Sequence, residues 1–473
     1  MLKSTRKVRI ACLVVVFVQF AGAQSVKELT DSLIDQHRKG TLRILLPGPA
    51  TVSVTQIRHD FPFGTCVNRR LFGLDNSTST PEDMQKYQDT LRAYFNAATH
   101  ENALKWHHTE KNGPGDPGYV FADSVYRFCA ENNLAMRGHL LVWEDTRYMA
   151  QWVKELNDDD LRFHVKRRVK DVTTHYKGKI SDYDLNNEML EHNYIRTRLG
   201  DGIVKEMADA ALEGDPDAVL YLNEYNILDG AKLTAYLNQI RHYLAQEVPI
   251  GGIGCQGHFW SPVPSYHVLR ERLDSLAQFG LPIKITEYDY EAAIDARASG
   301  LDRAYRTFFS HPAVTGITMW GFWAGRMWRS GAAFWELDWT PNKAAQAYKN
   351  LVYHEWWTRE EQTANDSGVC EIRVFFGTHA VEVGDKTFEV TFPQSHGSEY
   401  TLDLRPTDVG SLRAPHPSNE SRLGTTRVVP AWSLHQWNNH DRRIYDIRGR
   451  NIESNRAAPV STPALSASVL VIR

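Results

Sequence analysis

Glu188 and Glu287 are the residues whose setting points most directly to chemistry. Each closes a run of β-like residues, Asn186-Asn187-Glu188 and Ile285-Thr286-Glu287. Two carboxyl groups flanking one acetal bond can divide the work of cleaving it. One, protonated, donates to the leaving oxygen, while the other, ionised, attacks carbon. Their pKa values must then be held apart, and Asn187 and His258 are the neighbours expected to do so. A lone Glu at a strand end is more often half of a structural ion pair. The company is what argues otherwise: Thr99-His100-Glu101-Asn102 with Lys105-Trp106, Arg137-Gly138-His139, Trp143-Glu144, Gln256-Gly257-His258, Tyr288-Asp289 and Trp320-Gly321 also close or follow such runs. His139 and His258 lack the close spacing of a metal-binding helix, so neither a metal nor another cofactor is expected.

Positioning these groups on one mouth requires parallel strands. Eight β-like runs, 61–67, 97–102, 135–143, 180–188, 218–225, 252–258, 282–290 and 314–321, alternate with amphipathic stretches such as 158–176 and 233–246. Their apolar residues recur at three- and four-residue spacing. That alternation predicts α/β architecture, a (β/α)8 TIM barrel over 59–357, whose strand ends at the C-terminal face carry the chemistry. Strands four and seven then set Glu188 opposite Glu287. A small β lead-in is expected over 24–58 and a C-terminal β-rich module over 366–405. The remainder, 406–473, reads as a linker with an accessory or sorting segment.

The first residues run from Lys3, Arg6, Lys7 and Arg9 through an apolar stretch to Ala21-Gly22-Ala23, the order of a signal peptide over 1–23. Secretion is expected, with no membrane span in the mature chain. Net charge is −3 over 473 residues, which gives no field for nucleic acid. Thirteen tryptophans suit the flat faces of sugars, although most Trp side chains pack in cores. Once Cys12 leaves with the signal, Cys66, Cys129, Cys255 and Cys370 have neither metal-ligand nor disulfide-framework spacing, and buried thiols are expected.

These motifs resemble glycoside hydrolase family 10, the endo-β-1,4-xylanases, over roughly residues 58–357. Arg137-Gly138-His139-Leu140-Leu141-Val142-Trp143 is similar to the family's Arg-Gly-His-Thr-Leu-Val-Trp. Lys284-Ile285-Thr286-Glu287-Tyr288-Asp289 resembles its nucleophile strand, and Asn187-Glu188 its acid/base pair. Gly252-Ile253-Gly254-Cys255-Gln256-Gly257-His258 resembles Gly-Ile-Gly-x-Gln-x-His, whose His contacts the nucleophile. The resemblance implies a retaining endo-xylanase with Glu287 as nucleophile and Glu188 as acid/base, acting as a monomer on xylan or another β-1,4-linked plant cell-wall polysaccharide. It further implies that Glu101, Asn102, Lys105, His139 and Trp143 contact nonreducing-side sugars, that Gln256 and Asn187 belong to the site, and that Trp320 and Trp328 lie over the bound sugar. Two departures stand out: His100 replaces the family's usual Pro, and Glu144 replaces a second His. Trp143-Glu144, Asn186-Asn187-Glu188-Met189-Leu190 and Trp320-Gly321-Phe322-Trp323 resemble the branch typified by plant xylanases. The segment Tyr445-Asp446-Ile447-Arg448-Gly449-Arg450 resembles bacterial C-terminal secretion-sorting domains. A β-1,4- or mixed-linkage glucanase on the same barrel is the alternative enzyme. A noncatalytic carbohydrate-binding protein is the alternative of another class, and the presence of both Glu residues argues against it.

Overall fold

The computed structural model describes residues 25–73, 79–406 and 426–429. The expected signal peptide and nearly all of the tail lie outside the described residues.

All eight runs form strands: Phe63–Val67, Ala97–His100, Ala135–Arg137 continued by Val142–Trp143, Asp182–Asn187, Val219–Glu224, Gly252–Cys255 followed by His258–Phe259, Ile283–Tyr290, and Val314–Met319. Neighbours in this order pair in parallel, and the last returns to the first through Ile317↔Phe63. Strand three is interrupted. Its first half pairs with strand two and its second half with strand four, and the Gly138↔Tyr183 bridge joins them, so the ring closes into a (β/α)8 barrel. Closure needs glycine at 138, where a Cβ would lie 2.1 Å from the Tyr183 ring. Strands one and four are buried at every position, as parallel strands covered on both faces must be.

The helices set the mouth as well as the shell. In Asp158–His175, Asn157 caps the start by accepting from the Asp160 N–H at 2.9 Å, and three Asp residues occupy the first turn, where the helix dipole favours negative charge. Leu161, Val165, Val169 and Val172 give the inward stripe. Arg168 on that stripe is fully buried and donates to Leu104 O at 2.5 Å and Thr109 Oγ1 at 2.9 Å. It thereby clamps the segment after strand two that carries Lys105.

The regions flanking the barrel differ from the expected division. Residues 26–38 form a helix, Val26–Arg38, held by a Ser25–Glu28 capping box. Arg38 is buried and donates at 2.7 Å to the carbonyls of Phe309, His311 and Val314, bolting that helix to the barrel. The β lead-in and the C-terminal module are one β-sandwich and not two separate pieces. Lys39–Leu45 lies between Val369–Phe375 and Glu399–Asp403, and Thr51–His59 lies between Arg359–Thr363 and Gly377–Val383. Lys386–Phe392 and Thr426–Val429 extend the second sheet. The physical reason is burial: Thr51–His59 alternates buried and exposed positions, and its inner face closes only against strands from the far end of the chain. Cys66, Cys129, Cys255 and Cys370 are buried and unpaired, as the sequence predicts. Among the described residues, no helix is long and apolar enough to cross a membrane.

Candidate active site

Glu188 and Glu287 stand at the C-terminal ends of strands four and seven, bracketed by the same two residues. Asn223 donates from Nδ2 to Glu287 Oε1 at 2.8 Å and to Asn187 Oδ1 at 2.9 Å, while its carbonyl accepts the Glu188 N–H at 2.9 Å. Gln256 donates from Nε2 to Glu188 Oε1 at 3.0 Å, and its carbonyl accepts the Glu287 N–H at 2.6 Å. Each carboxylate is therefore held by a side chain whose backbone holds the other. Glu188 also takes a left-handed backbone, φ 55°, which turns the chain sharply off the strand.

Cationic and anionic groups line the far side of Glu287. His258 Nε2 lies 3.3 Å from Glu287 Oε2, and its Nδ1 lies 3.0 Å from Asp289 Oδ2. Burial alone would lower the His258 pKa, but Asp289 and Glu287 outweigh it and push it up to about 9. Asp289 also accepts from Trp328 Nε1 at 2.7 Å and Arg329 Nη1 at 2.5 Å. Trp328 remains about half exposed, a ring offered to solvent at the mouth.

Glu188 has a different environment. Burial would raise its pKa, yet the His192 imidazole 3.5 Å away, the hydrogen bond from Gln256 and the charge of Lys105 outweigh it and hold the carboxyl below its ordinary range. Trp143 Nε1 donates to Oε2 at 3.1 Å. Neither of the expected tuners acts on Glu188 in this way: His258 serves Glu287, and Asn187 Oδ1 accepts from Asn223.

The remaining wall comes from strands two, three and eight. His139 Nδ1 lies 2.8 Å from Asp184 Oδ2, and Arg137 grips both oxygens of the same carboxylate. The His139 ring is thus fixed, edge-on to Trp320 at 5.0 Å. Trp320 is buried between His139 and His258. Lys105 Nζ donates to Asn102 Oδ1 at 2.9 Å and sits 4.9 Å from the Trp143 ring. Its pKa is lowered by burial, against the opposing pull of Glu287, Glu101 and Glu188. Glu101 accepts from Asn68 Nδ2 at 2.6 Å, and burial raises its pKa. Beside Glu101 and Asn102 opens a polar recess of about 200 Å³, also lined by Arg69, Arg70 and His108. All twelve residues expected at the site are therefore linked at one mouth. Among the described residues, no group of three His, Cys, Asp or Glu side chains is arranged to hold a metal ion.

The two departures belong to packing. His100 is buried with Nε2 3.0 Å from Ala122 O, and burial lowers its pKa to about 4. Glu144 is buried and accepts four hydrogen bonds, from Asn186 Nδ2, the Ile195 and Arg196 N–H groups, and Arg196 Nε, at 2.7 to 3.0 Å. It caps the first turn of Tyr194–Leu199 with a carboxylate. Sequence reasoning passed over Asn223, Asp184, Arg329 and His192. For Asn223 the signal was present, because Leu222-Asn223-Glu224 closes strand five in the same polar manner as the other strands.

Residues 55–352 match the sequence model of Glycosyl hydrolase family 10. The chain is 36% identical over 359 residues to the anti-sigma-I factor RsgI6 of Acetivibrio thermocellus, covering 75% of this chain and 44% of that protein. It is 35% identical over 340 residues to endo-1,4-beta-xylanase 3 of Arabidopsis thaliana, covering 71% and 43%. It thus spans less than half the length of these relatives. Native xylanase 10B from Thermotoga maritima superposes with a TM-score of 0.56 at 24% identity, over 63% of this chain and 96% of that one, a likeness of fold.

Proposed function

The chain belongs to glycosyl hydrolase family 10, and from that premise we propose that it is a secreted endo-β-1,4-xylanase that cuts internal xylosidic bonds by double displacement. The observation that carries this reading is the shared bracket of Asn223 and Gln256 around Glu188 and Glu287. It supports two carboxylates acting on one bond. The names of the Arabidopsis relatives support the substrate class. The order of charge, apolar run and small residues in 1–23 supports secretion.

In this reading Glu287 attacks the anomeric carbon and Glu188 protonates the leaving oxygen, then takes a proton from the incoming water. His258, cationic at neutral pH, places its Nε2 3.3 Å from Glu287 Oε2 and is the positive charge beside the nucleophile. Glu188 needs its proton in the first step. Sugar binding displaces water from its carboxyl and thereby favours the neutral form, against the cations that hold it ionised in the empty site. Lys105, Trp320 and Trp328 crowd the sugar, which favours xylose over a hexose bearing a C5 substituent. The carboxyl groups of a retaining pair stand about 5 to 5.5 Å apart. The purified protein is assayed on arabinoxylan, cellulose and β-glucan, with product sizing and NMR of the first anomer. Short β-configured xylo-oligosaccharides are expected. Products from cellulose alone, or an α-anomer first, would overturn the reading.

A further inference from the structure

Glu188 opens a tight turn whose last residue comes back onto it. The N–H groups of Glu191 and His192 donate to Glu188 O at 3.1 and 3.0 Å. Glu224 accepts the Leu190 N–H at 3.0 Å, Lys232 pairs with Glu191 at 2.9 Å, and Arg196 donates to His192 O. So anchored, the His192 imidazole has its Nε2 3.5 Å from Glu188 Oε2 and 3.4 Å from Asp145 Oδ2. Asp145 is itself fixed by Arg147, whose Nε lies 3.0 Å from both carboxylate oxygens. Trp143, which donates to the same Glu188 oxygen, has its ring edge-on to His192 at 6.3 Å.

We infer that His192 is a positioning residue for the acid/base: bridging Asp145 and Glu188, it fixes the orientation of the Glu188 carboxyl and supplies the cation that faces it. This rests on the reading of Glu188 as acid/base. One imidazole facing two carboxylates is favoured in its protonated form by both and gives Glu188 a charged partner. The His192 pKa is raised, first by its interaction with Glu188, and the Glu188 pKa is lowered with His192 the leading opponent of burial. The other charged groups acting on Glu188 are Lys105 after strand two, Glu224 at the end of strand five and Arg147 after strand three. Glu287 lies beyond Gln256. Those acting on His192 are Glu188, Asp145 and Arg147. The consequence is a division of labour within the turn: His192 favours the ionised Glu188 that the second chemical step needs, at the expense of the protonated form that the first step needs.

The test is His192→Gln, with pH profiles on aryl xylobiosides. On a poor leaving group, where glycosylation needs protonated Glu188, the alkaline limb of kcat/KM is expected to move up by about half to one pH unit. This is less than for a buried pair, because the imidazole is partly exposed. On an activated leaving group, where hydrolysis of the intermediate limits, the acid limb of kcat is expected to move up as well. A purely structural residue would lower both profiles without moving either limb, and that outcome, or unchanged profiles, overturns the inference. If the variant does not fold, the His192 imidazole is titrated by 15N NMR in the wild type and in Glu188→Gln. Its pKa is expected to fall when the carboxylate is lost, and an unchanged titration overturns the inference. Because that titration needs no substrate, it is separate from the xylanase reading, which is decided by the products and first anomer that the wild type releases from xylan.

Discussion

Replacing Glu144 by Gln alters one atom at a place where four hydrogen bonds meet. Oε1 accepts from Asn186 Nδ2 at 2.7 Å and Arg196 Nε at 2.8 Å, and Oε2 accepts from the Ile195 and Arg196 N–H groups at 2.9 and 3.0 Å. An amide has one oxygen, so in either orientation its NH2 faces two donors and two bonds are lost. Bonds to a charged group contribute about 1.5 to 3 kcal/mol each. Two of them give about 3 to 6 kcal/mol, which overlaps the roughly 3 to 5 kcal/mol for breaking a buried ion pair, since Arg196 loses its carboxylate. For a domain of this size each kcal/mol shifts Tm by about 2 °C, so a fall of about 8 °C is expected for the variant. Thermal melts and urea unfolding of wild type and Glu144→Gln provide the assay. Glu144→His is expected to fare no better, because an imidazole offers at most one acceptor to four donors. A loss of less than about 1 kcal/mol in Glu144→Gln would refute the accounting of Glu144 as a structural carboxylate.

Three further outcomes are expected. Glu188→Ala is crippled on xylan but far less impaired in glycosyl-enzyme formation from substrates with activated leaving groups, measured by pre-steady-state burst; equal loss on both would remove Glu188 from the acid/base role. Asn223→Ala leaves Glu287 Oε1 and the Thr286 hydroxyl without their partners and leaves Asn187 Oδ1 only Gln256 Nε2 at 3.5 Å; it is expected to lose about 3 kcal/mol in urea unfolding and most of its turnover, and near wild-type values in both would show the bracket to be dispensable. His258 titrates at about 9 in the folded chain against an ordinary 6.5. A folded pKa that is raised gives stability fully present below about pH 6.5 and lost as pH rises through about 9. The stability gap between wild type and His258→Gln is therefore expected to shrink by about 3 kcal/mol between pH 6 and 9.5, and a gap independent of pH would contradict it.

The linear order of residues determined the barrel and set two carboxylates, Glu188 and Glu287, at its mouth. Short β-branched and apolar runs alternating with helical stripes leave few topologies, because parallel strands need crossovers and a crossover has one hand. Polar residues closing those runs then share a mouth, which is why Glu188, Glu287, His258 and Gln256 could be found before any contact was known. The family motifs added Trp328 and the sugar contacts expected of Glu101, Lys105 and Trp320. Tertiary structure alone decided what each of these groups touches. The alternation in Thr51–His59 shows that one face is buried but not against what, and the answer, strands Arg359–Thr363 and Gly377–Val383, lies at the other end of the chain. Asn223 was legible as a polar strand end but not as the link between two carboxylates, since a hydrogen bond across a barrel leaves no spacing in the sequence. Glu144 looked like an altered site residue until its four donors were seen. Charge balance is set in the same way. Whether Glu188 rests ionised depends on Lys105, Gln256 and His192 arriving from three different segments. Electrostatic energy depends on distance through space, which only the closed fold fixes.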